Sequence, residues 1–326
     1  MLKTDYLRWL KLPGIIANIP VIYWALLGIV LSYFLFFVRP VFLNEQQEMQ
    51  FFPYVPVVSP IGTDSRAMVV FAKKWFIEYQ SLHGVNCATP IQILFFATLM
   101  YLSDSQAYYI MTVLTILAYL FNSLIFPVLF LKTKTLPPLV VLFSVVGLFS
   151  YGLQFEIERG QFYSIVMFFC CVAVYLYQKN KYVFLSYVML SIAIQLKYSP
   201  AILITMYALC DKKSKGIVRI IILLLVNVML LMVFGWSHFK LFVTIITDRF
   251  VSPYIWINNH SIKNYLFYFS KKHPGIVDYI GFIELVFIIV FVLLTLLVIC
   301  SFYWVRQDWI RYYLFFICVI GMMTIP

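Results

Sequence analysis

Apolar runs dominate the chain, and short polar interruptions divide them. The pattern predicts a first helix from about residue 14 to 38, after a basic start at Lys3, Arg8 and Lys11. Further apolar segments follow at 90–103, 107–130, 139–154, 162–178, 182–196, 198–210, 217–235, 281–304 and 310–326. Several of these reach the roughly 20 residues that an α-helix needs to cross about 30 Å of hydrocarbon. They are continuous rather than alternating, which excludes a β-barrel.

Two longer polar regions stand apart, at 39–88 and 236–280. Pro40, Pro53, Pro56 and Pro60 keep the start of the first extended or turning. Within it, Met68, Phe71, Trp75 and Tyr79 recur every three or four residues, while Lys73, Lys74 and Glu78 fall elsewhere. That periodicity predicts a helix over 62–80 with one apolar side, lying in the membrane interface. Thr63 or Asp64 stands where a cap is expected. The second region predicts two short interfacial helices around a polar turn.

Composition sharpens this picture. The 326 residues are 63% hydrophobic and 11% charged, whereas a soluble domain carries about 25% charged residues. The chain therefore reads as an all-α polytopic membrane protein, one integral domain over 1–326 with roughly nine or ten hydrophobic segments. The net charge of +11 comes without a nucleic-acid-binding motif. It concentrates in short loops, as the positive-inside rule expects, and suits anionic lipid headgroups. Loops at 179–181, 211–219 and 306–311 mark one side as cytoplasmic, together with the N-terminus. Nothing resembles a cleavage site, so the first apolar run reads as a span, not a removed signal peptide.

Those loops place 39–88, the polar stretch 156–161, Lys197 and 236–280 on the outer face. The crossings do not close, however. Three candidate segments separate 39–88 from 156–161, so one of 90–103, 107–130 or 139–154 is expected not to cross fully. The last residues, Gly321 to Pro326, end inside an apolar run; a truncated product is the expectation, a short family member the alternative.

Five cysteines, Cys170, Cys171, Cys210, Cys300 and Cys318, lie in apolar runs and read as small buried hydrophobes, while Cys87 stands alone in a polar loop. No Walker loop, dinucleotide fingerprint, HExxH or serine elbow occurs.

Four clusters carry candidate chemistry. Asp64 is either a helix cap or a general base beside a membrane-bound substrate, with Glu45 and Glu48 as weaker alternatives. Glu156, Glu158, Arg159, Gly160 and Gln161 form either a solvated turn or a phosphate subsite, since the guanidinium fork suits phosphate and glycine permits close backbone approach. Lys197, with Tyr198 and Pro200, either snorkels or meets an anion. Asn258, Asn259, His260 and Ser261 form either an ordinary turn or a sugar-binding cluster.

Taken in order, these residues resemble the GT-C superfamily of membrane-embedded glycosyltransferases. Within it they resemble glycosyltransferase family 87, which is polyprenyl-phosphate-dependent and mannosyltransferase-like. Asp64 matches the acidic residue of the first exterior loop. Ala88-Thr89-Pro90 stands where the family has tyrosine-proline-proline, and Arg159-Gly160-Gln161 matches its glycine-glutamine element. Tyr163 or Ser164 replaces the usual nearby asparagine. Lys197 and Pro200 match the later lysine and proline, and Asn259-His260-Ser261 an asparagine-x-serine element.

The resemblance implies inverting transfer of a hexose, mannose by family precedent, from a polyprenyl-phosphate sugar to a glycan or glycolipid acceptor. The transfer would take place on the outer face of a bacterial inner membrane. Asp64 would be the base; Arg159, Gln161 and Lys197 would bind the lipid phosphate, supported by Gly160, Tyr198 and Pro200. Asn259, His260 and Ser261 would align sugar or acceptor. A divalent metal is allowed by the superfamily, but no ligand cluster in the sequence requires one. The competing readings are a polymerase or ligase of lipid-linked glycans, a transporter or flippase, and an inactive truncated homologue. No internal repeat supports a transporter.

Overall fold

The computed structural model describes residues 19–38, 61–78, 88–179, 182–204 and 213–251, with scattered positions between 266 and 296. Helices make up all of its regular structure, and there is no strand among the described residues. The elements are α1 (Val21–Tyr33), α2 (Thr63–Phe76), α3 (Pro90–Ala97), α4 (Asp104–Leu120), α5 (Phe126–Leu131), α6 (Pro138–Val146), α7 (Tyr151–Arg159), α8 (Tyr163–Gln178), α9 (Val183–Leu196), α10 (Lys213–Leu231) and α11 (Trp236–Val251). The chain divides into two compact units, Met1–Lys73 with Phe96–Tyr175 and Lys74–Phe95 with Leu176–Pro326.

In the first unit, α4 runs through a π-helical turn, Phe121–Ile125, into α5 without a break. The result is one apolar helix of 28 residues, Asp104–Leu131, long enough to cross a membrane. Ser103 and Gln106 start it with a reciprocal capping box, in which each side chain accepts the other residue's backbone N–H. Ile110, Val113, Leu114 and Leu117 are exposed along one stripe of this helix. Met111, Thr115, Ile116 and Leu120 are buried on the other side. A helix in water would expose polar residues there; an apolar outward stripe belongs in lipid.

The core of this unit joins Val21 and Ala25 of α1 to Ile116, Leu120 and Leu124, then to Val141, Leu148, Leu153 and Ile157. Where α1 meets this long helix, a Cβ on Gly28 would lie 2.6 Å from a methyl of Leu120. Such small residues let membrane helices approach closely.

The segment expected at 139–154 is two helices. Pro138–Phe149 and Tyr151–Arg159 meet at a 42° bend, and Ser150 caps the second half by accepting the N–H of Leu153. The segment expected at 90–103 is helical only over the eight residues of α3, a length of about 12 Å. It falls well short of crossing.

In the second unit, α9 and α10 pack through polar contacts. Asn227 donates to the Ser191 hydroxyl at 3.2 Å and to the Leu223 carbonyl at 2.9 Å. Gln195 donates to the carbonyl and the side-chain oxygen of Asn227. At the end of α10 the chain turns through 105° into α11, so the first helix expected in 236–280 runs across α10. The second helix of that region, and most of the spans expected at 281–304 and 310–326, lie outside the described residues.

Counting the long helix and each bent pair, up to three membrane-length spans are described, with shorter apolar helices at Val21–Phe36, Tyr163–Tyr177 and Val183–Leu196. The protein is a helical membrane protein.

Candidate active site

The stretch 156–161 is not a solvated turn. It is the buried end of α7: Glu158 and Arg159 are 0% and 1% exposed. Arg159 Nε lies 3.0 Å from Glu158 Oε2, and its guanidinium sits 5.5 Å from the Phe155 ring centre. Two such charges leave water only as a pair. Glu156 is also buried; its carboxylate accepts the backbone N–H of Ser164 at 2.6 Å and the Ser164 hydroxyl at 2.7 Å. An acidic side chain here satisfies free N–H groups and opposes the dipole at the start of α8.

The helix stops at Gly160, whose φ of +66° is left-handed. Gln161 N–H donates to Glu156 O at 2.8 Å and Gly160 N–H to Ile157 O at 3.0 Å. This pair of bonds is a Schellman closure, and it favours glycine because other residues pay for the left-handed backbone.

The start of α2 docks on this end. Gly62 N–H donates to Glu158 O at 2.7 Å. A Cβ on Gly160 would lie 2.3 Å from Ser65 Oγ and 3.2 Å from Gly62 Cα, so the two backbones touch. Gly62 itself has a φ of +77°. Its carbonyl accepts from Arg66 N–H at 2.9 Å and from the Ser65 hydroxyl at 2.9 Å. Gly62 is therefore the cap residue of α2, and Thr63 and Asp64 already belong to the helix. The buried stripe of α2 is Ser65, Val69 and Ala72, one step around from the expected Met68, Phe71 and Trp75. Ser65, the first of them, packs against Gly160. Trp75 is half-buried and stacks on Phe234 at 4.5 Å.

With no capping duty, half-buried Asp64 extends from the first turn of α2. Gln161 Nε2 donates to Asp64 Oδ2 at 2.9 Å. Residues 97 positions apart thus form one polar pair, beside a salt bridge of 3.6 Å between Arg66 and Asp104. α3 is too short to span; the long helix and the bent pair of α6 with α7 are the membrane-length candidates between Asp64 and Gln161, and two crossings agree with the contact of those two residues.

Lys197 lies in the other unit, at the end of α9. Its backbone is extended, φ −151° and ψ 132°. Tyr198 is exposed, and Ser199 and Pro200 are buried. Thr89 and Gln92 hydrogen-bond this helix end, and the sequence reading assigns neither of them to the site. The overlooked signal is Thr-Pro-x-Gln ahead of an apolar run, a capping-box spacing with proline at the first helical position. Asn258, Asn259, His260 and Ser261 lie outside the described residues, as do Glu45 and Glu48. Among the described residues, no three of His, Cys, Asp and Glu gather in a group able to hold a metal, so no step below is routed through one.

The described helices thus form a membrane protein with a carboxylate held by an amide where the start of α2 meets the end of α7. The profile of glycosyltransferase family 87 matches residues 89–326, and the chain belongs to that family; it is a glycosyltransferase, with a sugar donor and an acceptor. No curated protein and no solved structure matches it. Asp64 precedes the matched region, so its place in the site rests on its contact with Gln161.

Proposed function

We propose that the protein transfers a hexose from a polyprenyl-phosphate donor to a glycan or glycolipid acceptor on the non-cytoplasmic face, with inversion. The observation that carries this reading is the hydrogen bond from Gln161 to Asp64. It couples a carboxylate to the family's glycine-glutamine element without tying up the second carboxylate oxygen in that bond. The missing nucleotide-binding motifs point to a lipid-linked donor, because nucleotide sugars are cytoplasmic.

In this mechanism Asp64 accepts the proton of the acceptor hydroxyl as its oxygen bonds to the anomeric carbon. The bond from that carbon to the lipid phosphate breaks on the opposite side, and polyprenyl phosphate leaves with the electron pair. Gln161 holds the carboxylate in one orientation. Lys197 keeps its assignment to the charge on the departing phosphate on the resemblance alone. Arg159, buried beside Glu158, acts from behind by fixing the turn that carries Gln161. Asn259, His260 and Ser261 keep their assignment to sugar or acceptor on the resemblance alone.

The test is transfer by purified protein from radiolabelled polyprenyl-phosphate sugars to candidate acceptors. Asp64→Asn keeps the shape and an oxygen for Gln161 but removes the base, so kcat should fall by about 10²–10⁴ with donor binding retained. Unchanged transfer by that variant would sink the base assignment.

A further inference from the structure

Thr89 and Gln92 open α3 as a capping box: Gln92 Oε1 accepts Thr89 N–H at 2.9 Å, and Thr89 Oγ1 accepts Gln92 N–H at 3.2 Å. Each side chain then has a donor left, and both donors go to α9. The Thr89 hydroxyl donates to Gln195 O at 2.5 Å, and Gln92 Nε2 donates to Leu196 O. Gln195 and Leu196 are the last two residues of α9, where carbonyls have no partner within the helix. One pair of side chains therefore closes the start of one helix and the end of another, more than 100 residues away.

Both clasp residues are buried, at 8% exposed each, and Leu196 is fully buried. The next residue is Lys197. Its N–H still donates to Ala193 O at 2.9 Å, yet its backbone is already extended. The helix thus ends at Lys197, in the position where the clasp takes over the last carbonyls. Helix ends fray unless such partners hold them. The amide of Gln195, bonded to Asn227, ties the same turn to α10.

We propose that Thr89 and Gln92 are positioning residues for Lys197: by holding the carbonyls of Gln195 and Leu196 they set where α9 stops, and so where the lysine meets the phosphate of a lipid-linked donor. The inference rests on the assignment of Lys197 to that phosphate. It gives Thr89 and Gln92 a role that neither the helix start nor the transfer chemistry requires.

The experiment measures the Kd of polyprenyl phosphate for the full-length protein in detergent, with thermal melting of each variant alongside. Gln92→Glu keeps an oxygen to accept Thr89 N–H but has no proton for Leu196 O. Gln92→Met removes the donor without adding a charge. Each should weaken binding roughly fivefold while the protein remains folded, as should Thr89→Val; Thr89→Ser should bind like the wild type. In a Lys197→Ala background, Gln92→Glu should cause no further loss, since coupled residues are non-additive. Wild-type affinity in both Gln92 variants, or an equal loss with and without Lys197, would overturn the positioning role. Wild-type affinity in Lys197→Ala alone would instead overturn the phosphate assignment beneath it.

Discussion

The hydrogen bond between Gln161 and Asp64 makes a specific demand on glutamine. Its amide donates one bond to a carboxylate oxygen at 2.9 Å, and a hydrogen bond to a charged partner contributes about 1.5–3 kcal/mol. If that orientation is needed as the acceptor proton moves, Gln161→Leu should lower kcat by roughly tenfold to hundredfold, with little change in donor KM. Steady-state kinetics separate the two parameters; an increase in KM alone would make Gln161 a binding group. Arg159 illustrates the opposite case. Its type and spacing suggest a phosphate ligand, and the structure sets its Nε 3.0 Å from Glu158, buried in the turn. Sequence lists the charges, but which one faces a substrate depends on what covers the other.

Among the elements, the junction of α2 and α7 is held by glycines. Gly160→Ala would add a Cβ at 2.3 Å from Ser65 Oγ on a residue whose φ is +66°. The left-handed backbone alone costs about 1–2 kcal/mol. The variant should melt at lower temperature in detergent and lose activity as Asp64 and Gln161 separate. Gly152→Ala, in the same helix with nothing within 4 Å of the new Cβ, should instead be neutral or stabilising by about 0.5–1 kcal/mol. Equal melting temperatures for the two variants would refute the junction's role. The helix Thr63–Phe76 was legible from its periodicity, but its buried stripe was not. The apolar pattern points to Met68 and Phe71, while the buried residues are Ser65, Val69 and Ala72, with Ser65 against Gly160.

For the whole molecule, the continuous helix Asp104–Leu131 sets a topology that can be checked. Tyr101 and Lys134 flank it and are both exposed. In a cysteine-free protein, Tyr101→Cys should react with a membrane-impermeant maleimide on intact cells, and Lys134→Cys only after lysis. The reverse pattern would place Asp64 and Gln161 on the cytoplasmic face and remove the lipid-linked donor from consideration. The class and the run of helices were readable because a bilayer imposes length and apolarity on each crossing segment. The lengths of the helices were not, because a short helix such as α3 and a membrane-length one share the same composition.

The sequence by itself determined that this is a helical membrane protein of the glycosyltransferase kind, because those properties rest on composition and on an ordered set of local motifs. It also brought Asp64, Gln161 and Lys197 to notice. Only the tertiary structure decided that Asp64 meets Gln161, that Arg159 is buried beside Glu158, and that Thr89 and Gln92 close the helix before Lys197. Each of those contacts joins distant parts of the chain or depends on burial, and no local pattern carries either.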